Sequence, residues 1–326
     1  MGYAFVAREK HVKFGMPALT VLAAVVLSVA LSALAADEAK PIPIQTGTGH
    51  HFACTDYSGN KVFIVGADGK VEWEYKTGTC DDLWVLPNGN LLFNTGHGVL
   101  EVDRDKKTVF SYESTGEVYA CQRLANGNTF IGECTNARLI EVEPSGKIAF
   151  ELPIPPPDPK CAGHAYIRNA RKLANGNYLV CFYSQEVVRE LDPKGNVVAE
   201  FPAPSGPHSA ARLSNGNTII ACGDYKQAAQ IFEVDKDGKV VWQVKHDELP
   251  GIALKFMTGF QRLPNGNTVM TNWVGHGEFG KAPGIIEVTP DKKVVWTFQD
   301  DATMKTVSSI QLLDVPGDPV KGDVIH

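Results

Sequence analysis

The 326-residue sequence contains no C-x-x-C pair, and so no C-x-x-C-H haem-attachment site. It has no basic surplus, since 31 Lys and Arg stand against 37 Asp and Glu, for a net charge of −6. Non-specific nucleic-acid binding needs a basic footprint, so the composition argues against a nucleic-acid partner. After residue 35 no apolar run approaches the length of a membrane span. No Ser-His-Asp arrangement, paired-carboxylate motif or phosphate-cradling loop stands out. The glycines of Asn-Gly-Asn and Asp-x-Gly-Lys are turn signals and poor grounds for nucleotide binding.

The N-terminus differs from the rest. Arg8, Lys10 and Lys13 precede an apolar run from Phe14 to Ala35. Ala33-Leu34-Ala35 is an A-x-A cleavage signal, and the polar Ala36-Asp37-Glu38 follows. Residues 1–36 therefore read as a secretory signal peptide, with an uncleaved membrane anchor as the alternative for the same run. The expected mature protein, residues 37–326, is periplasmic or secreted and has no membrane span. It retains 28 basic and 36 acidic residues, a net charge of about −8. An anionic ligand in a local basic pocket remains compatible with that balance. Seven cysteines leave at least one thiol unpaired in an exported monomer. Those in apolar runs, such as Leu179-Val180-Cys181-Phe182, read as small buried hydrophobes.

Self-comparison is the informative step. Five segments read Leu-x-Asn-Gly-Asn: Leu86–Asn90, Leu124–Asn128, Leu173–Asn177, Leu213–Asn217 and Leu263–Asn267. Each lies between short apolar runs, and Asn-Gly suits a two-residue hairpin whose two positions both need φ > 0. A sixth, degenerate copy runs from Gln311 to Asp318. A second hairpin with an Asp/Pro/Gly-rich turn follows each first one, with its fullest copy at Phe232–Trp242. Related copies end at Trp73, Phe110, Phe150, Ala199 and Trp296.

Two hairpins make four strands, the blade of a β-propeller, and the count predicts an all-β, six-bladed fold. The chain starts with a second hairpin and ends with a first one, so pairing of the N- and C-terminal segments should complete the sixth blade. The ring-bearing residue that ends five of the six second hairpins, all but the one at Ala199, fills the space between blades. Pro153–Pro157 reads as a long loop between blades, because the repeat resumes at once.

The second hairpin, in Ala67-Asp68-Gly69-Lys70-Val71-Glu72-Trp73 and Asp237-Gly238-Lys239-Val240-Val241-Trp242, resembles the repeat of quinoprotein-type (PQQ-like) propellers. The resemblance implies the blade and covers nearly all of residues 37–326. It names no cofactor, because the quinone-dependent members are eight-bladed with adjacent cysteines, which this sequence lacks. The first hairpin is similar to repeats of the arylsulfate sulfotransferase family, exported six-bladed propellers in which a histidine carries the sulfuryl group. The nearest equivalents are Pro207-His208-Ser209 before Asn215 and Cys80-Asp81-Asp82 before Asn88.

Antiparallel order puts both hairpin turns of every blade on one face. The start of the first strand and the exit of the second lie on the other. The turns repeat closely, whereas the other face varies and is the better place for function. His97, His164, His208, His246 and His276 fall on the varied face, as do Cys80, Cys134, Cys161, Cys181 and Cys222. Asp81, Arg168, Thr258 and Ser308 hold matching positions counted back from each repeat leucine.

Three readings follow for this cluster. One is a pocket for a small ligand or a protein partner, formed by Asp81, His97, His164, Arg168, Thr258, His276 and Ser308. Another is group transfer or acid–base catalysis, with His208 as the catalytic residue and Arg168 holding an anionic leaving group. The third is a soft-metal (Zn or Cu) site of thiolate and imidazole.

Overall fold

The computed structural model describes residues 44–223 and 228–326. The expected signal peptide, residues 1–36, lies outside them. Among the described residues, no helix is long and apolar enough to cross a membrane. Six antiparallel sheets form a ring, the β-propeller expected from the repeats.

Numbered around the ring, blade 1 pairs Val307–Leu312, Phe52–Asp56, Lys61–Val65 and Val71–Lys76 in that order, inner strand first. Blade 2 holds Leu83–Val85, Leu91–Asn94, Gly98–Val102 and Thr108–Glu113. Blade 3 holds Val118–Arg123, Thr129–Glu133, Arg138–Val142 and Ile148–Pro153. Blade 4 holds Ala170–Lys172, Tyr178–Phe182, Val187–Leu191 and Val197–Pro202. Blade 5 holds Pro207–Arg212, Thr218–Cys222, Gln230–Val234 and Val240–Lys245. Blade 6 holds Met257–Arg262, Thr268–Asn272, Ile285–Val288 and Val294–Gln299, and Ile44–Gly47 adds a fifth strand to its outer edge.

The first-hairpin turns differ from the two-residue form. Leu86 N–H donates to Asn90 O at 2.8 Å and Gly89 N–H donates to Leu86 O at 2.8 Å, enclosing three loop residues. Only the glycine takes positive φ (+84° at Gly89), as in a type I turn closed by a glycine bulge. The Asn88 side chain accepts from Asn90 N–H at 3.0 Å, which fixes the turn from within. Asparagine is favoured here for its side-chain acceptor rather than for a left-handed backbone.

Ring closure also differs in detail. The degenerate copy at 311–318 forms no hairpin. Val307–Leu312 gives one strand, and its partner is Phe52–Asp56 from the other end of the fold. Leu313 N–H donates to His51 O at 2.7 Å, replacing the bond that closes the other turns. The local cause is the lost Asn-Gly-Asn. Asp318 instead caps a short 3-10 turn, Pro319–Lys321, accepting from Val320 N–H at 3.0 Å, and the chain turns away across the hairpin face.

The core is six apolar clusters, each spanning two neighbouring blades. Trp73, Phe110 and Trp296 are buried in them, as expected for inter-blade packing. Polar clasps reinforce the interfaces. A glutamate in the third strand of one blade holds a cation of the next: Glu101 with Arg123, Glu141 with Lys172, Glu190 with Arg212, and Glu233 with Arg262. At the closing interface His50 takes this role, meeting Glu287 at 3.0 Å and Asp314 at 2.9 Å.

Candidate functional site

A cavity of about 370 Å³ opens at the centre of the varied face. Six of the eight site residues expected from the sequence line it: Asp81, His164, Arg168, His208, Thr258 and His276. The other two stand apart. His97 is exposed in the bend between two strands of blade 2. Ser308 is buried within its inner strand, where its carbonyl accepts from the Thr271 hydroxyl at 3.1 Å. His246 pairs loosely with Asp247 at 3.7 Å and lines no part of the cavity.

The cysteines are not there either. Cys54, Cys80, Cys121, Cys134, Cys181 and Cys222 are buried and Cys161 is half-buried, all as free thiols. Burial pushes the Cys80, Cys181 and Cys134 thiols up, away from the thiolate that a soft metal needs. Among the described residues, no three His, Cys, Asp or Glu side chains converge to hold a metal ion.

Topology explains the gathering. Asp81, Tyr119, Arg168, His208 and Thr258 each stand five residues before a repeat leucine (86, 124, 173, 213 and 263), so successive blades deliver them to one level of the channel. Tyr119 belongs to this series, although it was absent from the expected set. A second series is aromatic. Tyr57, Tyr183 and Trp273 each follow directly on the second strand of a blade and line the cavity with Phe256. Their rings form a chain: Tyr57 to Trp273 at 6.2 Å, Trp273 to Phe256 at 5.4 Å, and Phe256 to Tyr183 at 6.4 Å. Glycine makes room for it. A Cβ on Gly223 would sit 2.1 Å from the Phe256 ring, and one on Gly275 would sit 2.1 Å from the Trp273 ring.

The polar groups adjoin these rings: the His208 ring is 5.9 Å from that of Phe256, and the Arg168 guanidinium is 4.8 Å from that of Tyr183. The backbone N–H groups of Asp81 and Asp82 both donate to Asn94 Oδ1, at 2.8 and 2.9 Å, which sets the direction of both carboxylates. Asp82 points down the channel, where Arg171 grips it with two bonds of 2.6 and 2.7 Å. Asp81 points into the cavity, with its Oδ1 at 3.9 Å from His208 Nε2. Burial pushes the Asp81 carboxyl up to about 7; Arg168 opposes this, while Asp82 and Glu117 add to it. Burial and then Arg168 hold His208 down to about 3, so its imidazole is neutral at physiological pH. The Arg168 guanidinium lies between the rings of Tyr119 (4.3 Å) and Tyr183 (4.8 Å) and donates to the His164 carbonyl. His164 sits at the rim, 2.9 Å from Glu117.

The floor of the channel is closed from the opposite face. His326 is buried with its ring 4.0 Å from that of Trp84, and its carbonyl accepts from Arg171 Nε at 3.0 Å. Below it, the segment that crosses the hairpin face walls two further cavities, of about 430 and 720 Å³.

Comparison with known proteins agrees with this architecture. A protein of unknown function from Bacteroides caccae superposes with a TM-score of 0.70 at 26% identity, covering 81% of this chain and 98% of that one. A streptogramin B lyase superposes at 0.56 with 12% identity, over 82% of this chain and 95% of that one. A virginiamycin B lyase from Staphylococcus aureus superposes at 0.54 with 13% identity, over 83% and 99%. At such identities the two lyases share the fold. No curated protein matches the sequence. The quinoprotein resemblance of the Asp-Gly-Lys turns is one of blade architecture, and the family that matches is a different one. Residues 62–228, more than half of the sequence, match the model of the Mal s 1 allergenic protein-like family, and the chain belongs to that family.

Proposed function

We propose that this protein is an exported binding propeller that takes one small ligand into the cavity at the centre of its varied face. The observation that carries the reading is the composition of the cavity. Tyr57, Tyr183, Phe256 and Trp273 supply an aromatic surface, and Asp81, Arg168 and His208 set polar and charged groups beside it, around about 370 Å³. A concave site with an apolar wall and a few fixed polar groups is the usual form of a small-molecule pocket. Trp273 lies in the wall, so occupancy should change tryptophan emission. Titration with small aromatic compounds should quench that emission, Trp273→Phe should abolish the response, and Phe256→Ala should weaken binding about tenfold. Compounds that bind both variants as tightly as the parent would place the site elsewhere and refute the reading. Export by residues 1–36 is part of the proposal, and N-terminal sequencing of the secreted protein tests it.

Group transfer or proton transfer in the same pocket is the second reading, and one observation favours it. Asp81, with a carboxyl near neutrality, faces a neutral imidazole at 3.9 Å beside a guanidinium. A neutral His208 can attack an electrophile, and Arg168 can hold an anionic leaving group. Turnover of an aryl sulfate that is lost in His208→Ala supports it. Full activity in that variant, or none in the parent, removes sulfuryl transfer.

A further inference from the structure

We infer that the ligand of this pocket is an aromatic anion whose charged group seats on the Arg168 guanidinium, and that Asp81 carries a proton in the complex. The inference rests on the small-ligand reading above.

Arg168 is unlike the other inward arginines of the ring. Arg123, Arg171, Arg212 and Arg262 each hold a carboxylate within 3.0 Å. Arg168 is only 8% exposed, yet among the described residues it forms no ion pair. It packs against the Tyr119 and Tyr183 rings, gives one nitrogen to the His164 carbonyl and lines the cavity, and among the described residues its other N–H groups meet no carboxylate. A guanidinium held against rings, with N–H groups uncommitted to an acid, is pre-set for a carboxylate or sulfate. The ring chain from Tyr57 through Trp273 to Phe256 supplies the surface for an aromatic body.

Asp81 is the group that must yield. The charges facing it are Arg168, Asp82 and Glu117, with the neutral ring of His208 and the hydroxyls of Tyr57 and Tyr119 beside it. Asp82 is paired with Arg171. An incoming anion on Arg168 removes the one cation that favours the Asp81 carboxylate and adds a like charge near it. Burial already places the Asp81 carboxyl at about 7, so binding draws a proton onto it near neutral pH.

Isothermal titration calorimetry with 1-naphthylacetate and its neutral isostere 1-naphthylacetamide tests this, in amine buffers free of sulfate and phosphate. At pH 6 the anion should bind more tightly than the amide. Its affinity should fall above pH 7, reaching about tenfold weaker by pH 8, where roughly one molecule in eleven holds the proton. The isosteric Asp81→Asn variant should bind the anion at pH 8 about tenfold more tightly than the parent, with no pH slope. Arg168→Gln should lose the anion and keep the amide. An amide that binds as tightly as the anion, or an unchanged slope in Asp81→Asn, overturns the inference and leaves the small-ligand reading standing. Failure of both compounds to bind overturns both. Should Arg168→Gln unfold, the Asp81→Asn result decides alone.

Discussion

Arg171 holds Asp82 across the central channel through two hydrogen bonds of 2.6 and 2.7 Å, joining blade 4 to blade 2 beneath the pocket. Both side chains are buried, and Asp82 also accepts from Cys121 N–H at 2.9 Å. Removing one partner leaves the other as an uncompensated buried charge. Arg171→Met should therefore destabilise the fold by about 3–5 kcal/mol, measured by urea denaturation. The paired change Arg171→Met with Asp82→Asn should recover part of that loss. A single variant as stable as the parent would mean that the pair is not the floor of the site.

The closing interface should respond to pH. The bond to Glu287 raises His50 above the 6.5 of a free histidine, burial lowers it, and Asp314 raises it again, for a net upward shift. A group with a raised folded-state value stabilises the fold fully below the unfolded value. That contribution is lost as pH rises through the folded value. Thermal midpoints measured from pH 5.5 to 9 should decline more steeply across neutrality in the parent than in His50→Gln. Parallel curves would show that His50 is not part of the closure.

The inter-blade clasps should matter as units. Glu190 accepts from Asn175, Asn177 and Arg212, at 3.1, 2.6 and 2.6 Å. Glu190→Ala strips three donors at once and should cost about 1–3 kcal/mol. Glu190→Gln, which keeps an acceptor, should cost less. Equal losses would assign the effect to packing alone.

The aromatic wall depends on a missing side chain. Gly223→Ala drives a methyl into the Phe256 ring, so about 1–3 kcal/mol of stability should be lost and Trp273 emission should shift. Phe256→Leu in the same background should relieve the clash. A silent Gly223→Ala would show that the wall is not tightly seated.

The blade count was legible because Leu-x-Asn-Gly-Asn and Asp-x-Gly-Lys are local turn chemistry, which survives at any depth in the fold. The turn type is not legible, for a simple reason. Asn88 and its copies act through the side-chain oxygen, and the dipeptide alone does not distinguish that from a left-handed backbone. The closure is legible in the two incomplete ends, and Phe52–Asp56 pairs with Val307–Leu312 as they imply; the loss of the last hairpin is not legible. Asp81, Arg168 and Thr258 are legible by counting back from the repeat leucines, and the same count reaches Tyr119. The aromatic lining is not legible in a polar pattern, although Tyr57, Tyr183 and Trp273 share one repeat position. Ser308 shows the converse limit, since a matching repeat position does not guarantee that a side chain reaches the cavity.

The central claim is that the cavity on the varied face is the binding site. The most direct measurement is a crystal structure of the protein grown with 1-naphthylacetate. One molecule is expected between the Phe256–Trp273 rings and Arg168, with its carboxylate on the guanidinium. A molecule found instead in the clefts beside the segment that crosses the hairpin face, with the cavity empty, would contradict it.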